Sequence, residues 1–254
     1  MPTPDTKRIV IFAHPEDPAD LRDVLQRELG LNKIDAGISA HHAPGILPQP
    51  WAQDVAERAA KAISAAGLKA IAVAQSEIPD LTGSETSHHL RCLPSGLELC
   101  NYSGAVDRTW DWSELRLVSV GRVPLAEQRH YVTDTIAHAN PVPPDEYLKG
   151  GAVHGFEAWL VFDEPRRILH CDSEHMNYEY LEERKVGSGT ANFELLIAEI
   201  AVNAPQAFLT PATRKYLTRG PVLDYDFKDS AALREYTLTE YLLSREFRSP
   251  AAES

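Results

Sequence analysis

The chain has 254 residues, 43% hydrophobic and 24% charged, a globular composition with room for one large domain or two small ones. No apolar run reaches the roughly 20 residues that span a bilayer. A formal net charge of −12, spread along the chain as a solvated surface, opposes binding to nucleic-acid phosphates and to anionic lipid. Three cysteines, Cys92, Cys100 and Cys171, are too few and too odd for a disulfide framework and fit a reducing compartment. The opening "MPTPDTKR" lacks the apolar core of a signal peptide, so a cytoplasmic protein is expected.

The first 80 or so residues read as one unit. "RIVIFA" is an apolar, β-branched run and predicts a buried strand. "DPADLRDVLQRELG" follows with Leu21, Val24, Leu25 and Leu29 at helical spacing and Gly30 as a stop. Asn32 is placed to cap a short helix that carries Ile34 and Ile38, and Pro44-Gly45 breaks it. "ILP" predicts a brief strand. "QPWAQDVAERAAKAISAAG" predicts a long helix with Val55, Ala59, Ala62, Ile63 and Ala66 on one face and Gly67 at its end. "LKAIAVAQ" predicts a second buried strand. The turn-rich stretch "SEIPDLTGSETSHH" predicts a domain boundary.

From Leu90 the pattern changes to alternation with period two. "LRCLPSGLELCNY" and "RTWDWSELRLVSVGRV" predict strands of a half-solvated sheet. The polar segment 126–155 reads as a loop or insertion, with Tyr131 to His138 a further strand or helix inside it. "FEAWLVFDEPRRILHCD" predicts a hairpin turning at "DEPR". "ANFELLIAEIAVNAP" predicts an amphipathic helix, with Thr190 as its cap, Phe193, Leu196, Ile197, Ile200 and Ala201 inward, and Pro205 ending it. "DSAALREYTLTEYLLSREF" predicts one more helix, and "RSPAAES" a frayed end. The expected fold class is α+β. Residues 1–84 form a small α/β domain, 88–210 a mostly antiparallel β domain, and 211–254 a helical tail.

Two resemblances accompany this reading. "LQRELGLNKIDAGISAHHAPGILPQPWAQDVAERAAKAISAAGLKAIAV" resembles the C-terminal domain of ribosomal protein L7/L12 and the adaptor ClpS. It shares a helix ending "LGL", an acid-Ala pair at Asp35 and Ala36, a short Pro-containing strand, and a long Ala-rich helix stopped at Gly67. The resemblance implies a domain that binds proteins and catalyses nothing. The first helix carries Asp20, Arg22, Asp23, Arg27 and Glu28, unlike the basic first helix of the ribosomal family, so ribosomal factor binding is not implied. The second region resembles a bacterial PH-like domain, with "TWDWSELRLVSVG" and the following helix carrying the likeness. That implies a site for peptides, proteins or lipids, and the acidic charge favours protein.

Four features were weighed as chemistry. "AHPED" (Ala13 to Asp17) is similar to the Ala-His-Pro-Asp-Asp zinc stretch of PIG-L-type deacetylases. Zinc there would need His14 and its neighbouring acids plus a distant histidine. Here Glu16 stands where that family has aspartate, and Pro18 where it has a further acid. The other reading has Asp17 capping a helix that Pro18 begins, with Asp20 at its positive end. "SHHLRC" and "HCDSEH" supply His88, His89, Cys92, His170, Cys171 and His175. These are ligand types for zinc, but neighbours on a strand face opposite ways. No Gly-x-Ser-x-Gly elbow occurs, and "GSGT" lacks a P-loop lysine and reads as a loop with a helix cap. Trp110, Trp112, Trp159, Tyr178 and Tyr180 line either a core or an exposed peptide groove.

The expectation is a non-enzymatic adaptor or scaffold that binds other proteins or peptides, with no catalytic, cofactor or metal residue assigned. The alternatives are a metal-dependent hydrolase using His14, Pro15, Glu16 and Asp17, and a peptide or small-molecule sensor built on the β domain.

Overall fold

A computed structural model describes residues 6–125, 153–162 and 167–248, with the side chains of Thr82 and of 245–248 excepted. Most of the polar segment 126–155, the "DEPR" turn and the end after Arg248 lie outside the described residues. The chain is α+β, and its sheets are mostly antiparallel. It divides into two units, Met1–Leu81 with Glu235–Ser254, and Thr82–Arg234. Among the described residues no helix is long and apolar enough to cross a membrane.

The first unit is organised around β1 (Thr6–Ile11), whose Ile9, Val10 and Ile11 are buried. It pairs antiparallel with β2 (Gly45–Ile46), β3 (Trp51–Ala52) and β4 (Ala70–Ala74). Helix α1 (Pro18–Leu29) inserts Leu21, Val24 and Leu25 into the core at the spacing read from the sequence, and Gly30 stops it in a left-handed conformation at φ 66°. Helix α2 (Lys33–His41) is capped by Asn32, whose Oδ1 accepts from the amides of Ile34 and Asp35 at 2.9 Å. Its buried side chains are Ala36 and Ala40, while Ile34 and Ile38 are 74% and 54% exposed.

Helix α3 (Gln53–Ala65) buries Ala56, Ala59, Ala60 and Ile63. The inward face is therefore turned by about one residue from the expected one, and Ala66 stands exposed as the C-cap. Small side chains on this face let the helix approach the sheet closely, which favours Ala56 and Ala60 over the larger Val55.

The second unit has a three-stranded antiparallel sheet, β6 (Leu90–Leu93), β7 (Gly96–Cys100) and β8 (Val106–Trp110). Beside it in sequence are β5 (Glu85–Thr86), β9 (Leu115–Pro124), β10 (His154–Phe162), β11 (Arg167–Asp172) and β12 (Phe208–Leu209). These form a sheet in the order β12-β9-β10-β11-β5. The centre β9-β10-β11 is antiparallel and includes the expected hairpin. The two-residue edges β12 and β5 run parallel to their neighbours.

Helix α4 (Gly189–Asn203) buries Phe193, Leu196, Ile197 and Ile200. Its cap is Ser188, not Thr190: Ser188 Oγ accepts from Ala191 N at 3.3 Å, two residues earlier than the sequence suggested. Helix α5 (Pro211–Leu217) anchors to β9 through Thr213, whose Oγ1 accepts from Val120 N at 2.8 Å and donates to Val118 O at 3.0 Å. Helix α6 (Ser230–Arg248) is the expected C-terminal helix.

The three-stranded sheet turns tightly between Leu93 and Gly96. A Cβ at Gly96 would lie 2.6 Å from the carbonyl oxygen of Trp110 on β8, a backbone atom that cannot swing away. Gly96→Ala is therefore expected to cost the second unit more than about 1 kcal/mol. Urea unfolding measures it, and an unchanged midpoint would contradict the close approach.

Candidate functional site

The sequence-nominated residues separate into three places. His14 and Glu16 are exposed, and Asp17 Oδ1 accepts from Ala19 N at 2.8 Å as the cap of α1, with Pro18 at the first position of the helix. Among the described residues no group of three or more His, Cys, Asp and Glu side chains is placed to hold a metal ion. The "AHPED" stretch thus has no ligand set there.

Cys92 and Cys171 share an enclosed region of the second unit. Burial, reinforced by Glu199, pushes the Cys92 thiol up to about 12, and burial raises Cys171 as well. Above Cys92, Tyr180 donates to Glu199 Oε2 at 3.0 Å. His170 points to the other face of β11 from Cys171, as strand alternation requires. Its ring centroid is 4.4 Å from that of Trp159, and its Nε2 is 3.4 Å from Glu157 Oε2.

The third place gathers His88, His89 and His175. They line a cavity of about 510 Å³ together with Glu85, Thr86, Tyr102, Asp107 and Asn177, a volume within the range of ligand sites. Its walls are short, turn-rich segments fixed by side-chain to backbone hydrogen bonds. In the β7–β8 turn, Asn101 Oδ1 accepts from Ser103 N at 3.0 Å and Ala105 N at 3.1 Å, and Gly104 takes φ +81°. Arg91 Nη2 donates to Gly104 O at 2.9 Å from beneath. This frame holds Tyr102 outward at 94% exposure.

On the opposite wall, Asp172 Oδ1 accepts from the amides of Glu174 and His175 at 3.0 and 2.8 Å. It also pairs with His175 Nδ1 at 2.8 Å, leaving Nε2 as the free ring nitrogen. The His88 ring lies between them, stacked on Tyr102 at 6.3 Å and edge-on to His175 at 5.9 Å. Its buried Nδ1 has no hydrogen-bond partner among the described residues, an uncommon state for a buried polar atom.

His89 is 9% exposed. Burial first, and the nearby Arg91 second, lower its pKa, against the backbone bond at Asn101 that favours the charged form. Ser87 is also buried in this wall and donates to His89 O at 3.4 Å.

The aromatic groove read from Trp110, Trp112, Trp159, Tyr178 and Tyr180 is not at the surface. Trp110, Trp112, Trp159 and Tyr178 are buried. Trp110 packs edge-on against Phe162 at 4.7 Å, and Trp112 Nε1 donates to Leu93 O at 2.7 Å. Among the described residues the exposed aromatic is Tyr102. Its signal in the sequence was the turn "NYSGA", which puts a tyrosine where a turn must face solvent. Compared with protein-family models, with curated proteins and with solved structures, the chain matches none.

A histidine kept neutral by folding protonates more readily in the unfolded chain. Its contribution to stability is therefore complete above the unfolded value of about 6.5 and is lost as pH falls from there toward the lowered folded value. The second unit should lose stability below about pH 6.5, and His89→Gln should flatten that dependence. Urea unfolding at several pH values tests this, and an identical slope in the variant would refute it.

Proposed function

We propose that this chain is a non-enzymatic adaptor or scaffold that binds a peptide or protein segment in the cleft of its second unit. The observation that carries the reading is the preorganised cavity of about 510 Å³ with the exposed Tyr102 ring on its rim. Exposed tyrosines on rigid turns bury much area at small entropic cost, and they recur as anchors in protein interfaces.

The cleft also offers a strand edge. Ser87 N bonds to His170 O in the parallel pairing of β5 with β11. Alternation along the strand turns the amide and carbonyl of Thr86 the other way, toward the cavity that Thr86 lines. An extended segment could add there.

The groups of the cleft argue against nucleophilic catalysis. The Cys100 thiol is raised by burial, and the Ser87 hydroxyl is committed to a backbone carbonyl. The resemblance of the first region to L7/L12 and ClpS points the same way.

Selection of peptides from a random display library on the full chain tests the proposal. Peptides sharing a motif should be enriched, and Thr86→Trp, which fills the cleft from an exposed position, should weaken them at least tenfold, about 1.4 kcal/mol. No enrichment, or binding indifferent to Thr86→Trp in a variant with native circular dichroism, would sink the reading.

A further inference from the structure

Resting on that reading, we infer that the occupant of the cleft is a basic segment of a partner protein, with a lysine or arginine side chain seated between Tyr102 and the carboxylates of Glu85 and Asp107. The lining contains both carboxylates and no lysine or arginine among its described residues. One guanidinium serves the pair from behind: Arg108 Nη1 lies 3.1 Å from Glu85 Oε2, and its Nη2 lies 3.3 Å from Asp107 Oδ2. A second arginine, Arg91, stands beneath the Tyr102 turn with its Nη2 on Gly104 O, so Glu85 and Asp107 are balanced on this side and the negative excess of the cleft comes with a third carboxylate. The opposite wall adds the carboxylate of Asp172 behind the His175 ring. The whole chain, at −12, lies in the same sense and steers cations toward the site.

Tyr102 completes the match. Its ring is stacked on His88 on one side, and its exposure leaves aromatic surface open to solvent. A Lys ammonium or Arg guanidinium over such a ring gains from the negative π-face. An anionic segment would meet Glu85, Asp107 and Asp172 with one arginine already engaged. A purely apolar one would strand the same carboxylates away from water.

The test is fluorescence anisotropy with the full chain and four probes. Three are short labelled peptides with identical Gly-Ser flanks and a centre of Lys/Arg, of Gln or of Glu. The fourth is free spermine as a competitor. The basic peptide should bind at least about tenfold tighter than the Glu peptide and weaken as salt rises from about 0.05 to about 0.3 M. Tyr102→Ala should cost it about two- to fivefold. Glu85→Gln should weaken it too, with Thr86→Trp abolishing what remains.

If the Gln or Glu peptide binds as tightly and is lost in Thr86→Trp, the cleft is a binding site but the basic occupant is wrong. If spermine binds as tightly as the basic peptide, the site takes free cations and the segment is wrong. If no peptide binds in a manner sensitive to Thr86→Trp, both the occupant and the binding reading fail. Tyr102 and Glu85 both reach the cleft surface, so native circular dichroism in their variants separates lost contact from lost fold.

Discussion

The cleft depends on one stretch, 85–89, that is hydrogen-bonded to three different partners in three successive residues. Ser87 N donates to His170 O on β11 at 3.0 Å, His88 O accepts from Asn177 N at 2.6 Å, and His89 O accepts from Cys100 N on β7 at 2.9 Å. A segment so held has little freedom left to lose when a ligand arrives, which is the condition for a preorganised site. It also explains why two adjacent histidines line the same cavity. The backbone bends at His88 before β6 begins, so strict strand alternation does not yet apply.

The walls that face this stretch are built by the same device. Asn101 and Asp172 each use one carboxamide or carboxylate oxygen to collect backbone amides of a following turn. Such turns cost little to order because the side chain replaces water at donors that would otherwise be unpaired. The result is a cavity whose walls carry imidazole, carboxylate and aromatic groups. One thiol, Cys100, lines it, and burial raises its pKa, as burial also raises those of Cys92 and Cys171 elsewhere in the unit. In the proposed reading, recognition at this surface rests on charge and on the Tyr102 ring.

Much of the fold was legible because its signals are local. Leu21, Val24 and Leu25 repeat at helical spacing, Asp17 and Asn32 stand where helices begin, and the β10–β11 alternation marks a hairpin. Errors came where two local signals were close in merit. Thr190 and Ser188 are both capping residues, and the register of the preceding loop, tied by Val186 N to Asn192 Oδ1 at 2.8 Å, decided for Ser188. In α3 an almost uniform run of alanines leaves the inward face weakly specified, and close packing decided it.

The site was far less legible. "ETSHH", "NYSGA" and "HCDSEH" each read as turns, and nothing in a turn says which distant turn it will meet. The histidines were left without an assigned role, and His88, His89 and His175 converge with Tyr102 and Glu85 around a cavity. Of the two readings open for the tryptophans, a core or a groove, burial decides for the core, because large apolar side chains are buried.

The central claim is that this cavity is the surface the protein uses to bind. Amide hydrogen exchange of the full chain with and without a bound basic peptide measures it most directly. Slowed exchange should cluster at 85–89, 101–107 and 172–177 and leave α2 unchanged. Protection concentrated instead on the exposed Ile34 and Ile38 face of α2, with the three cleft segments unaffected, would contradict the account.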